Sequence, residues 1–130
     1  MSTSLNSGSQ VAQCDDGQLL ADLDAVDDRA TIEVEAMLDG VAESLIVHRD
    51  GSSARVWFNV CPHAGRRLDW APGKFLVTKD GLLVCAVHGA TFELESGVCV
   101  AGPCRGEVLR AVAIEVRERK VWLSGDPGVA

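Results

Sequence analysis

Two short segments bring soft sulfur and ring nitrogen together: Cys61-Pro62-His63 and Cys85-Ala86-Val87-His88. In each, a cysteine precedes a histidine by two or three positions. A glycine follows closely, Gly65 in the first segment and Gly89 in the second. Two loops that each offer one thiolate and one imidazole can clamp a single inorganic unit between them. Those donors suit an iron–sulfur cluster or zinc. Structural zinc sites more often group two cysteines with two histidines, or four cysteines, at other spacings. Taken singly the residues are ordinary, since a lone buried cysteine is usually a small hydrophobe. Two coupled pairs, both on glycine-bearing loops, are much harder to obtain by accident.

Short strands and tight turns must position these loops. Thr31–Ala36 alternates Ile32 and Val34 with Glu33 and Glu35, the period of a half-buried strand. Ser44–Arg49, Asp50-Gly51 and Ala54–Val60 read as a hairpin, with Val56, Phe58 and Val60 on one face and Trp57 on the other. Phe75–Thr78, Asp80-Gly81 and Leu82–Cys85 read as a second hairpin. A short strand in the segment HGATFELESG, a turn at Gly97 and a strand at Val98–Val100 follow. Gly102-Pro103 marks a rigid loop. Val112, Ile114 and Val116 alternate, and Val121–Leu123 pairs back after a turn at Arg117–Lys120. Asp15–Asp28 is acidic with interspersed Leu and Val, and leads towards the first strand. The expected class is all-β and antiparallel. Residues 1–13 and 125–130 read as tails around a single domain, 14–124. No internal repeat is visible.

The chain has 130 residues, enough for one core, and 47% of them are hydrophobic. No apolar run approaches membrane-spanning length, and the N-terminus has no export signal. These features point to the cytoplasm, where thiols stay reduced. Five cysteines, an odd number, argue against a full disulfide framework. The net charge is −7. Residues 1–60 hold eleven acids and three bases, whereas 61–110 hold five acids and six bases. No strongly basic face is visible, so nucleic acid is excluded as the expected partner.

The string CPH…CAVHG resembles the Rieske ferredoxin pattern of C-x-H followed by C-x-x-H-G. The aromatic in HGATF, the Gly97 turn and the Gly-Pro of AGPC resemble the same family, over residues from about 20 to 123. One departure is the separation of the motifs by twenty-one residues, 64–84, longer than is commonest in small Rieske ferredoxins. A hairpin through Pro72–Gly81 would absorb it. The resemblance implies a Rieske fold: an antiparallel β-sandwich with a small cluster-binding subdomain of two loops, about residues 60–105. It implies one [2Fe–2S] cluster per chain, with Cys61 and Cys85 on one iron and His63 and His88 on the other. It also implies that Pro103 shields the cluster. Such a cluster is neutral when oxidised and singly negative when reduced. Two imidazoles in place of thiolates therefore make the electron easier to accept.

Several positions separate the subtypes. Respiratory-type Rieske proteins resemble C-x-H-x-x-C and C-x-C-H, whose extra cysteines form a disulfide. Here those positions are Arg66 and Val87. The hydroxyl donors of that type are also missing, because Ala90 follows His88-Gly89 and the chain has no Tyr. Fewer donors to sulfur mean a lower potential. The resemblance is thus to the soluble, low-potential bacterial type. A Rieske oxygenase subunit needs two further His and a carboxylate for its second iron. Of three histidines only His48 would remain. It shares a strand face with Ile46 and reads as structural.

The expected function is one-electron transport, from a flavin-dependent reductase to an oxygenase or other redox enzyme, by a chain that is a monomer when free and not itself an enzyme. The alternatives are a small subunit or interaction module of a nitrite-reductase-like complex, and a cluster-based redox sensor. Among the remaining residues, Cys99 and Cys104 stay thiols in a reducing compartment or form a disulfide or redox switch. Cys14 reads as inert. Arg66 and Arg67 read as solvated loop charges or as a docking pair, and Trp70 as a packing anchor or, if exposed near the cluster rim, a partner contact.

Overall fold

The computed structural model describes residues 18–62, 65–85 and 89–124. Both expected tails, Cys14, His63 and His88 lie outside the described residues, as do Ala64, Ala86 and Val87. The described strands are β1 (Leu19–Asp22), β2 (Thr31–Leu38), β3 (Val41–Asp50), β4 (Ser53–Phe58), β5 (Leu76–Val77), β6 (Leu82–Val84), β7 (Thr91–Glu93), β8 (Cys99–Ala101), β9 (Ile114–Arg117) and β10 (Lys120–Leu123). A single turn of 3-10 helix, Leu23–Ala25, follows β1. Every strand pairing is antiparallel. The sheets have the orders β1-β10-β9, β2-β3-β4 and β5-β6-β7-β8.

The sheet β2-β3-β4 is the centre of the molecule because it buries side chains on both faces. Leu45–His48 are four consecutive buried residues, where a one-sided strand would alternate. Leu45 and Val47 join Val56, Phe58, Val121 and Leu123 in one apolar cluster. Ile46 and Trp57, which face each other across β3 and β4, join Leu68, Leu83, Phe92, Leu94 and Leu109 in the other. The expected opposition of Val56 and Phe58 to Trp57 is therefore what divides the two clusters. Val60 departs from expectation. The strand ends at Phe58, so Val60 is 43% exposed and lines a groove with Phe58, Pro62 and Val108.

Two further elements exceed the sequence reading. β2 runs on to Leu38 and turns through Asp39-Gly40, both at positive φ, directly into β3. β1 was expected only as a lead-in; it pairs with β10 across a register shift. The turn between β9 and β10 lacks glycine, yet Glu118 and Arg119 have φ of 54° and 61°. Such conformations cost roughly 1–2 kcal/mol per residue. The Arg119 carbonyl accepts from Leu23 N–H at 2.9 Å and its Nε donates to Asp24 at 2.8 Å, which holds the turn.

Gly97 joins the central sheet to the four-stranded one. It has φ +77°, and a Cβ there would lie 2.7 Å from Trp57 Nε1. Gly97→Ala is expected to destabilise the fold by roughly 2 kcal/mol through overpacking and a strained turn. Trp57→Phe in the same chain is expected to recover part of that loss. Urea unfolding of the two single variants and the double variant measures the coupling.

Candidate metal centre

The two cysteine loops open from strand ends in the same way. Cys61 N–H donates to the Arg66 carbonyl at 2.7 Å, and the Cys61 carbonyl accepts from Gly65 N–H at 2.8 Å. Cys85 N–H donates to the Ala90 carbonyl at 2.7 Å, and its carbonyl accepts from Gly89 N–H at 2.9 Å. Each bracket leaves the cysteine at the root of the loop. Both cysteines are completely buried and belong to the apolar cluster on the Trp57 side of the central sheet. The segment from Glu93 to Val98 closes with the same two bonds, at 2.9 and 2.7 Å, but carries no cysteine or histidine. The closing backbone bonds are thus shared by three segments, and the chemistry lies in the residue types that two of them carry.

A network that the sequence reading missed fixes the chain beyond the first loop. Asn59, 1% exposed, sits two residues before Cys61. Its Nδ2 donates to Ser44 Oγ at 3.1 Å and its Oδ1 accepts from Leu68 N–H at 2.8 Å. Ser44 in turn donates to Glu33 at 2.6 Å. Arg67 reaches Glu33 at 2.9 Å and clasps Asp69 with Nε and Nη2, at 2.9 and 2.7 Å. Gly73 N–H also donates to Asp69 at 3.0 Å. Burial alone would raise the Asp69 pKa. The Arg67 hydrogen bond, the Gly73 N–H, Asn59 and the Arg67 charge outweigh it and hold the carboxyl below its ordinary range. Asp69 and Glu33 likewise raise the Arg67 pKa. No local motif marks residues so far apart in the chain; the one signal available was a polar Asn among the apolar residues before Cys61.

These contacts correct two expectations. Arg67 is not a free loop charge, because it bridges β2 to the segment after Cys61. Trp70 is not a packing anchor: it is 59% exposed. Its turn is closed instead by Asp69 and by the backbone, with Trp70 N–H donating to Lys74 O and Lys74 N–H to Ala71 O. That short bridge and the β5–β6 hairpin take up the long separation between the motifs. His48 is 4% exposed, and its Nδ1 lies 3.0 Å from Thr31 Oγ1. Burial, followed by the charge of Arg29, lowers its pKa, which suits a neutral structural residue.

The third loop of this end holds Cys99 and Cys104, both 1% exposed, with their sulfurs 3.1 Å apart. Both are thiols. Burial first, and then Cys99 beside it, push the Cys104 thiol up to about 12. Gly102 lies so close to the second cysteine loop that a Cβ would come within 2.7 Å of Ala90 Cα.

The model of the family described as "Rieske [2Fe-2S] domain" matches residues 18–116. The chain belongs to the Rieske [2Fe–2S] domain family. Membership implies a [2Fe–2S] cluster, and two buried cysteines rooted in matched loops fit the thiolate half of its donor set. The fold is likewise that of Rieske ferredoxins. The ferredoxin of carbazole 1,9a-dioxygenase from Nocardioides aromaticivorans IC177 superposes with a TM-score of 0.64 at 23% identity, covering 85% of this chain and 99% of that one. The Sphingomonas yanoikuyae B1 ferredoxin gives 0.61 at 19% identity, with coverage of 85% and 99%. The terminal oxygenase of carbazole 1,9a-dioxygenase from Nocardioides aromaticivorans IC177 gives 0.63 at 18% identity, covering 86% of this chain and 31% of that one. No curated protein matches. Among the described residues of this Rieske chain, no helix is long and apolar enough to cross a membrane.

Asp69 gives a test by pH. Its depressed pKa contributes stability that is complete above the ordinary carboxylate range, about 4. That contribution is lost as pH falls through the lowered folded-state value. Asp69→Asn is expected to cost about 1–3 kcal/mol at neutral pH and to flatten the acid limb of stability against pH. An acid limb unchanged in slope would show that Asp69 does not carry it.

Proposed function

We propose that this chain is a one-electron carrier, not an enzyme, that receives electrons from a flavin-dependent reductase and delivers them to an oxygenase or another redox enzyme. The observation that supports this most is the pair of equivalent loops, each rooted in a buried cysteine, within a Rieske domain. Cys61 and Cys85 would hold one iron, and His63 and His88 the other, in one cluster per chain. When bound, a cluster of this kind supplies a one-electron couple whose potential is raised by imidazole ligation.

The chain's own residues do the remaining work. The bracketing hydrogen bonds root each loop at its cysteine. The apolar cluster of Leu68, Leu83, Phe92 and Leu109 keeps water from the cysteine side. Asn59, Asp69 and Arg67 hold the segment that follows the first loop to β2 and β3. The solved carbazole dioxygenase assembly titled as a complex of reduced oxygenase and oxidized ferredoxin contains a chain of this fold, at 20% identity and TM-score 0.63. It favours an oxygenase as acceptor. We place the carrier in the cytoplasm as a free monomer, its domain spanning 14–124 with the cluster-binding part at about 60–105.

Purified protein is expected to contain iron and acid-labile sulfide, and to give a Rieske-type EPR signal on reduction. A zinc-containing protein with neither would overturn the assignment. Cys85→Ser is expected to lose most of the iron. His88→Cys is expected to keep a cluster of lower potential. Transfer is tested with a flavin-dependent reductase and a Rieske oxygenase: the chain should support turnover while remaining monomeric by light scattering. Obligate co-purification with a large subunit would overturn the free-carrier reading.

A further inference from the structure

Cys99 and Cys104 have no part in the proposed ligand set, yet their sulfurs lie side by side. Cys104 Sγ donates to Cys99 Sγ across 3.1 Å, and Cys99 Sγ donates to the Ala101 carbonyl at 3.1 Å. A disulfide needs a sulfur separation of about 2.05 Å, so closure demands an approach of roughly 1 Å. The surrounding backbone already forms a closed loop. Cys99 N–H donates to Glu107 O at 2.7 Å, Gly106 N–H to Cys99 O at 2.9 Å and Glu107 N–H to Cys104 O at 2.9 Å. Between the cysteines lies Gly102-Pro103, and Gly102 sits so close to Gly89 and Ala90, at the end of the second cysteine loop, that a side chain there would clash with them. Apart from Cys104, residues 101–108 are exposed, so a small opening of this turn gives Cys104 to solvent.

We propose that Cys99 and Cys104 are a second redox centre, a dithiol that closes to a disulfide and latches the Gly102-Pro103 loop over the second cysteine loop. The oxidant is a low-molecular-weight disulfide. Once the turn opens and water reaches Cys104, relieving the burial that disfavours its thiolate, the Cys104 sulfur attacks the small disulfide and forms a mixed disulfide, releasing one small thiol that carries away a proton. Cys99 sulfur then displaces the second small thiol, which carries away the other proton. Two S–H bonds are lost and one S–S bond forms in the protein, while the small disulfide is reduced to two thiols. The couple takes two electrons, and it needs neither Cys61 nor Cys85. Closing the loop removes its freedom to lift from Ala90, so release of a bound cluster slows.

The test uses the cluster-loaded protein exposed to oxidised glutathione. Alkylation under denaturing conditions and mass spectrometry should find a chain lighter by two hydrogen atoms, with Cys99 and Cys104 joined and the cluster absorbance retained. Loss of that absorbance to an iron chelator should then be roughly tenfold slower than in the reduced protein. Cys99→Ser and Cys104→Ala should abolish the slowing, each carrying at most a glutathione adduct. Should either variant fail to fold, the wild-type thiol map decides. Cys99 and Cys104 still alkylatable, a bridge to Cys61 or Cys85, or cluster loss on oxidation would each overturn the latch. A preparation with no cluster would instead count against the carrier reading, and the thiol map distinguishes the two failures.

Discussion

The structure depends on the contact between Trp57 and Ile46 of the central sheet and the four-stranded sheet below them. Sheets of this size normally bury one face and wet the other. Here the second face of β3 and β4 has been given a second core. The sheet therefore belongs to two apolar clusters at once, one shared with β1, β9 and β10 and the other with the loops that bear the cysteines. That arrangement explains the unbroken buried run Leu45–His48. It also means that the cysteine-bearing end is packed onto the sandwich rather than hung from it by two connections.

Polar contacts refine what this packing sets up. Apolar burial has no direction, so it cannot by itself decide where the chain runs after Cys61. Asn59 supplies direction by spending both ends of its amide, one on Ser44 and one on the Leu68 backbone. Arg67 then answers two carboxylates, Glu33 on β2 and Asp69 in its own turn. An exposed ion pair adds little to stability, but the Asp69 side chain is only 1% exposed, and its oxygens also meet a backbone N–H. The pairing is thus a geometric clamp in a partly dry setting, where losing one partner leaves the other poorly solvated.

Much of this was legible in the residues. Asp50-Gly51 and Asp80-Gly81 located hairpins, and the alternation around Val56–Phe58 placed Trp57 on the opposite side. The cysteine and histidine spacing pointed to the family that the domain match establishes. The errors share a cause. Val60 was placed on a strand face with Val56 and Phe58, and Trp70 was read first as a packing anchor, but whether an apolar side chain at a strand end or turn is covered depends on distant segments. Arg67 and Asn59 were misread or passed over for the same reason, since their partners lie 34 and 15 residues away. β1 was blurred by its acidic setting; what makes it a strand is β10, from the opposite end of the domain.

The segment from Glu93 to Val98 bears on how a metal centre is assembled here. It closes with the same pair of backbone bonds as the two cysteine loops, and has a glycine in the same left-handed conformation, without a cysteine or histidine. A closure that stands without metal in one place does not require metal to form in the others. The backbone closure and the donor set are therefore separate features of the chain: the first recurs in three places, and the second is confined to two of them.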